Sequence, residues 1–129
     1  INAAGNLFDA AGLAALAALK SAHFPVVDEK TGVIDYKQKT KQKLPLLKQP
    51  LPVTVYKVNG AMIIDPTSDE ENAYDARLTV ATDADGMLSA MQKGGIGPLT
   101  VDDISRMIDL ALEKAAFLRE LLKKQVYDG

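Results

Sequence analysis

The sequence predicts an α/β (α+β) sandwich in which a helix, a mixed sheet and a second helix are stacked, and three observations predict it. Helical, strongly apolar segments stand near both ends of the chain, a short hairpin pattern and two longer ones lie between them, and the strands of the first longer hairpin are apolar on both faces. A sheet built from such strands needs cover on both sides. With 129 residues, 47% apolar and 25% charged, the composition is that of one globular domain with one core, read as a single domain over residues 1–129.

Residues 7–21, LFDAAGLAALAALKS, carry apolar or small side chains almost all the way round, the pattern of a helix buried on several sides. Asn6 is placed to cap its first turn. Gly12 in its interior costs about 1 kcal/mol relative to alanine, which close approach of a neighbouring backbone would offset. Pro25 forbids continuation and leaves His23 at the helix end. There, contact with the last helical carbonyls is the plainer role, and general-base catalysis the alternative.

VVDEKTGVIDY reads as a short hairpin, followed by KQKTKQK, in which lysine alternates with neutral polar residues. On an extended strand, Lys37, Lys39, Lys41 and Lys43 would share one face, because side chains repeat every second residue. The stretch through Pro45, Pro50 and Pro52 is a surface excursion. VTVYKV and AMIID flank Asn59-Gly60, the pair that tolerates positive φ at both centres of a type I′ turn. Pairing Val58 with Ala61 sets Val53, Val55 and Ile64 on one face and Tyr56, Val58 and Ile63 on the other. A second hairpin runs from ARLTVAT through Asp83-Ala84-Asp85-Gly86 to MLSAMQ. Thr100 with Asp103 then opens a helix over about residues 101–125, whose stripe is Ile104, Met107, Ile108, Ala111, Leu112, Ala115, Leu118 and Leu122. Arg106, Asp109, Glu113, Arg119 and Glu120 fall mostly outside that stripe.

The chemistry excluded is extensive. Seventeen acids against fifteen bases give a net charge of -2 and a pI near 5.3, so any nucleic-acid contact must be local. No cysteine and one histidine exclude a thiol nucleophile, zinc-thiolate sites and His-rich metal sites. The longest apolar run, residues 7–19, is interrupted by Asp9 and is too short to span a bilayer. Asp65, Asp69, Glu70, Glu71 and Asp75 form an acidic stretch dense enough to hold a cation or supply an acid. A solvated loop is the plainer reading for all but Asp75, which stands at the mouth of a strand.

GNLFDAA near the start, DPT with its acidic run leading to YDAR, then MQKGG and the capped terminal helix together resemble the second half of RNase PH-like domains. Within that family the order and spacing look like the non-catalytic subunits of the archaeal exosome, a phosphorolytic machine that degrades RNA from its 3′ end. The resemblance spans essentially the whole chain and implies that an N-terminal half is absent before Ile1. It further implies a catalytic RNase PH-like partner subunit, RNA-binding cap subunits and RNA, a hexameric ring, a cytoplasmic location, and no cofactor or metal of the chain's own.

Catalytic members enter the first helix with a Gly-Thr/Ser-Arg-Thr/Ser type sequence that holds inorganic phosphate at the helix's positive end. The corresponding residues here are Asn6, Leu7, Phe8 and Asp9, so phenylalanine replaces the arginine and aspartate stands where a hydroxyl belongs. Leu7, Phe8 and Asp9 therefore mark a degenerate phosphate site, with Asp9 expected to repel phosphate. Catalytic members also carry two aspartates six residues apart, the second matching Asp75; Asp69 has the spacing, but the segment is short. Asp75 is read as a relic, and no catalytic residue is assigned. Lys37, Lys39, Lys41, Lys43 and Lys48, five positive charges with no acid between them, are the RNA-contact candidates, set against a solvated loop. The competing functions are an active phosphorolytic 3′-to-5′ exoribonuclease, disfavoured by Leu7-Phe8-Asp9, and an unrelated ligand-binding domain, disfavoured by DPT, YDAR and MQKGG together.

Overall fold

The computed structural model describes residues 5–127; Ile1 and the chain's last two residues lie outside the described residues. The elements run α1 (Leu7–Ser21), β1 (His23–Val27), β2 (Ile34–Lys43), β3 (Leu51–Val58), β4 (Ala61–Ile64), α2 (Ser68–Asn72), β5 (Ala76–Thr82), β6 (Leu88–Gly94) and α3 (Val101–Tyr127). The main sheet has the order β4-β3-β5-β6, while β1 and β2 form a separate two-stranded sheet. The combination of helices and sheet holds, with α1 meeting α3 around Leu51 at the edge of the sheet, but the expected mixed sheet is antiparallel at every described pair. Tight turns return the chain antiparallel, whereas a parallel neighbour needs a crossover of about a dozen residues or more.

The first main hairpin has the expected register, Val58 opposite Ala61, with Asn59 at φ 49° and Gly60 at φ 83°. Alternation along β3 and β5 then sends Val53, Val55, Leu78 and Val80 to one face, where Met107, Ala111 and Ala115 of α3 pack on them. These seven residues form the larger core cluster, all at 5% exposure or less. The expectation of cover on both sides holds over β3 and fails at β6. There Leu88 and Met91 are half exposed, α3 packing chiefly on β3 and β5.

The position of α1 differs from its composition. Only Leu16 is buried, packed with Leu51 and Leu122, while Leu7, Phe8 and Leu19 are exposed. An alanine-rich helix has little apolar area to bury per residue, so one line of contact suffices to seat it. That line runs along β3 where β4 has ended, since β4 pairs only with Val55–Val58. Gly12 makes the approach possible: a Cβ there would lie 2.4 Å from Cγ and 2.9 Å from Cδ of Pro52. The compensation is thus a proline ring rather than the expected backbone.

The acidic stretch is not wholly a loop. Thr67 accepts from the Glu70 N–H, and Glu70 accepts from the Thr67 N–H at 2.8 Å, a capping box that nucleates the short α2. The same device opens α3: the Asp103 N–H donates to Thr100 Oγ1 at 3.1 Å and the Thr100 N–H to Asp103 Oδ2 at 2.9 Å. Asp103 also receives Lys57 Nζ at 2.7 Å. The Lys57 hydrogen bond first, and the Thr100 N–H next, hold its carboxyl at about 2 rather than the ordinary 3.8. Because the folded value is the lower one, this pairing stabilises the fold above about pH 4 and is lost as pH falls toward about 2. Asp103→Asn is expected to flatten stability against pH in that window, measured by urea midpoints at successive pH values.

Arg119, read from the pattern as lying outside the buried stripe, is a structural anchor. Its guanidinium donates to Gln49 O at 2.8 Å and to Thr82 O, tying α3 to the entry of β3 and the end of β5. A carbonyl at a strand end needs a donor when no further strand residue supplies one, and long-range needs of this kind leave no mark in helical periodicity.

A candidate site at the start of the first helix

Asn6 caps α1, its Oδ1 accepting from the N–H groups of Phe8 at 3.0 Å and Asp9 at 3.4 Å. The Asn6 N–H in turn donates to Asp65 Oδ1 at 3.0 Å. Asp65 reaches this position because its backbone is left-handed, φ 55°, and because residue 5 is glycine, whose Cβ would stand 2.6 Å from that same oxygen. A carboxylate of the chain itself therefore occupies the positive end of the helix, the place where an anion is favoured. The Asn6 side-chain Nδ2 is buried and has no partner among the described residues.

Asp9, read as a repelling anion, is engaged inside the protein. Its Oδ2 accepts from the Thr54 N–H at 2.6 Å and its Oδ1 from Thr54 Oγ1 at 2.8 Å, and Thr54 Oγ1 meets Thr79 Oγ1 at 2.8 Å. The carboxylate points into the protein and satisfies an edge N–H of β3 that β4 is too short to pair. Burial pushes its carboxyl above the ordinary value, against the opposing pull of the two Thr54 hydrogen bonds; Asp65 raises it further and Arg77 lowers it.

Beside this clamp, Gly5, Asn6, Leu7, Phe8, Ala11, Glu71 and Arg77 line a cleft of roughly 480 Å³. Its outer wall is apolar, with Leu7 54% and Phe8 60% exposed. Its polar contribution comes from Glu71, which accepts from Tyr56 Oη at 3.2 Å, and from Arg77 on β5. Burial, and then the Glu71 charge, push the Tyr56 hydroxyl pKa upward. Sequence reading placed Glu71 in an acidic run and Tyr56 on an apolar face and gave Arg77 no role; the available signal was the parity of Arg77 with Thr79 once the hairpin register was known.

Asp75 does not join this cleft. Its Oδ2 accepts from the Asn59 N–H at 2.9 Å, so the carboxylate is held rigidly at the strand mouth but is used by the Asn59-Gly60 turn. Asp69 is exposed on α2. His23 Nδ1 lies 2.9 Å from Ser21 O, the plainer of its two roles. Among the described residues, no group of three or more Asp, Glu or His side chains is placed to hold a metal, and no helix is long and apolar enough to cross a membrane.

The lysines lie elsewhere. Lys37, Lys39, Lys41 and Lys43 are exposed on β2, and exposed Lys48 follows in the connection to β3. The expected single face is broken, since β2 spends four residues against two of β1 between the His23–Lys43 and Pro25–Lys39 pairs, and four against one before Val26–Asp35. Such irregularities interrupt the two-residue alternation. Lys20 of α1, absent from the sequence-based set, joins Lys43, Leu44, Leu46 and Gln49 around a recess, its Nζ donating to Gln49 Oε1 at 2.8 Å.

An antiparallel sheet backed by a long capped helix, with a shorter capped helix on its edge and an exposed hairpin beside it, defines a mixed α+β module. Residues 48–114, from just before β3 into α3, match the description "3′ exoribonuclease family, domain 2", and the chain belongs to that family. It is similar to the exosome complex component Rrp42 of Thermococcus onnurineus, 44% identical over 124 residues, which are 95% of this chain and 45% of that protein. The Methanocella arvoryzae protein of the same name is 45% identical over 119 residues, 92% of this chain and 43% of its own length. Among solved structures, an archaeal exosome core superposes with a TM-score of 0.77 at 34% identity, covering 95% of this chain and 47% of that one. An Archaeoglobus fulgidus exosome with RNA bound to the active site gives 0.75 at 33% identity, covering 93% and 44%. The chain thus spans a little under half the length of these relatives. The RNase PH-like resemblance and the fold read from the sequence are borne out.

Proposed function

We propose that the chain is the C-terminal portion of a non-catalytic subunit of an archaeal-type exosome ring. In this reading it supports a catalytic RNase PH-like partner and helps line the path of RNA undergoing phosphate-dependent 3′-to-5′ degradation. The observation that carries the reading is the capped start of α1: Asn6 Oδ1 takes the Phe8 and Asp9 N–H groups and Asp65 the N–H of Asn6 itself, which sets an internal carboxylate beside the position that holds phosphate in catalytic members. Phe8 supplies no guanidinium there, which forgoes a charge-assisted contact of about 1.5 to 3 kcal/mol. Asp75, committed to Asn59, is then a structural residue and not an acid. The alternative of an active exoribonuclease has no comparable support. Cap subunits that bind RNA, a hexameric ring and a cytoplasmic location belong to the same proposal.

Assembly is tested by the mass of the complex formed when the full-length chain is co-expressed with a catalytic RNase PH-like subunit. A ring of alternating subunits is expected, and two separate species would refute it. Exposed Leu88, Met91 and Ile96 along and beyond β6, and Phe117 on α3, are the apolar surface that such neighbours would cover.

The lysines of β2 and Lys48 are proposed to hold RNA phosphates without reading sequence. If all five engage single-stranded RNA, log affinity should fall with log salt at about -0.7 per contact, roughly -3.5 in total. Changing the five lysines to glutamine in the assembled complex should flatten the slope by that amount, whereas an unchanged slope would make them a solvated surface.

A further inference from the structure

The β1–β2 hairpin stands apart from the main sheet, and nearly every side chain of β2 is exposed. Two-stranded hairpins are marginal in water, so an exposed aromatic on one calls for a reason. Tyr36 is 78% exposed. It lies in the second irregularity of β2, where residues 36–38 have no strand partner between the Val26–Asp35 and Pro25–Lys39 pairs. The bulge is organised: Asp35 Oδ1 accepts from the Lys37 N–H at 2.9 Å, and Asp35 Oδ2 from Gln38 Nε2 at 3.0 Å. Thr40 Oγ1 then donates to Phe24 O at 3.0 Å and fixes the strand again. Both oxygens of the one acid in this segment are thereby spent within the bulge.

We infer that this bulge is a base-stacking platform for single-stranded RNA, with the Tyr36 ring as its stacking surface and Lys37 and Lys39 as its phosphate contacts. The inference rests on the RNA reading above and adds to it a contact of a different kind. Lysines alone supply charge, but a bound base needs a π face, and stacking on an exposed ring tolerates any base. The strand spacing puts Lys37 and Lys39 within about 10 Å of the Tyr36 backbone. At the hairpin's tip the acids Asp28 and Glu29 outweigh the one base, Lys30, beside the apolar Val33 and Ile34, so the RNA backbone is directed toward the more basic Lys39–Lys43 end. Single strands fit because a duplex keeps its base faces stacked.

The test uses the full-length chain in its assembled complex and a fluorescein-labelled oligoadenylate RNA, read by anisotropy across a salt series. Tyr36→Ala and Tyr36→Leu are expected to weaken binding by roughly fivefold or more with no change in salt slope, while Tyr36→Phe binds as wild type. On an abasic RNA of the same length, all four proteins should bind alike. Full affinity in Tyr36→Ala, together with a flattened slope in the lysine-to-glutamine variant, would overturn the platform and leave the RNA reading standing. No effect from either variant would refute both. Loss of complex mass in Tyr36→Ala and Tyr36→Leu would place a protein neighbour on the ring and overturn the proposal.

Discussion

Asp9→Ala is expected to destabilise the fold by about 2 to 3 kcal/mol, lowering the thermal midpoint by roughly 6 to 15 °C. The substitution strips the Thr54 N–H of its acceptor and leaves that fully buried donor unpaired at the end of α1. Such an orphan costs about 1 to 3 kcal/mol, and the second bond, from Thr54 Oγ1, adds to it because the acceptor is charged. Asp9→Asn is a sharper probe. Its amide oxygen can still accept from the Thr54 N–H, and its amide nitrogen can donate to Thr54 Oγ1 while that hydroxyl turns to Thr79. Burial already disfavours the Asp9 charge, so losing it removes a cost as well as a benefit. A loss of about 1 kcal/mol or less is expected. Chemical denaturation of the three proteins checks both values, and Asp9→Ala at wild-type stability would mean that the clamp does not hold α1 to β3.

Gly12→Ala should reverse the sign of a familiar substitution. In an exposed helix, replacing glycine by alanine stabilises by about 1 kcal/mol. Here the new methyl would fall 2.4 Å from Pro52 Cγ, and a ring in β3 cannot swing aside as a long flexible side chain could. Either α1 lifts from the strand, loosening Leu16 from Leu51, or β3 shifts against its partner. A net loss of about 1 to 3 kcal/mol is expected. In a Pro52→Ala background the same change should become neutral or stabilising, a coupling of about 2 kcal/mol in a double-mutant cycle. Additive effects would show that the two elements do not touch at this point.

Much of the architecture was legible because it is local. Asn59-Gly60 specifies its own turn, Thr100 with Asp103 specifies its own cap, and the stripe of α3 follows from residue spacing alone. The α2 helix was equally local, with Thr67 and Glu70 at capping-box spacing, but its run of acids read as solvated loop because a helix of five residues buries nothing. The extent of burial of α1 was misjudged for the opposite reason. Alanine permits burial without requiring it, and the length of β4 decided where the helix sits. The site divides in the same way. Leu7 and Phe8 were legible as apolar residues at the helix start, but the roles of Asp9 and Asp65 depend on strand ends and a left-handed backbone 45 to 59 residues away. Tyr36 was passed over because a lysine run draws attention to charge, and the bulge that isolates the ring follows from a pairing register that composition does not reveal.

On the proposed function, the cap that Asn6 and Asp65 build at the start of α1 leaves this chain without phosphorolytic chemistry of its own. The most direct measurement is release of nucleoside diphosphates from single-stranded RNA by the full-length chain alone, with and without inorganic phosphate. No phosphate-dependent release is expected from the chain alone, and adding the catalytic partner should produce release that is unaffected by Asp75→Asn. Phosphate-dependent release by the chain without any partner, abolished by Asp75→Asn in a protein that remains folded, would contradict it.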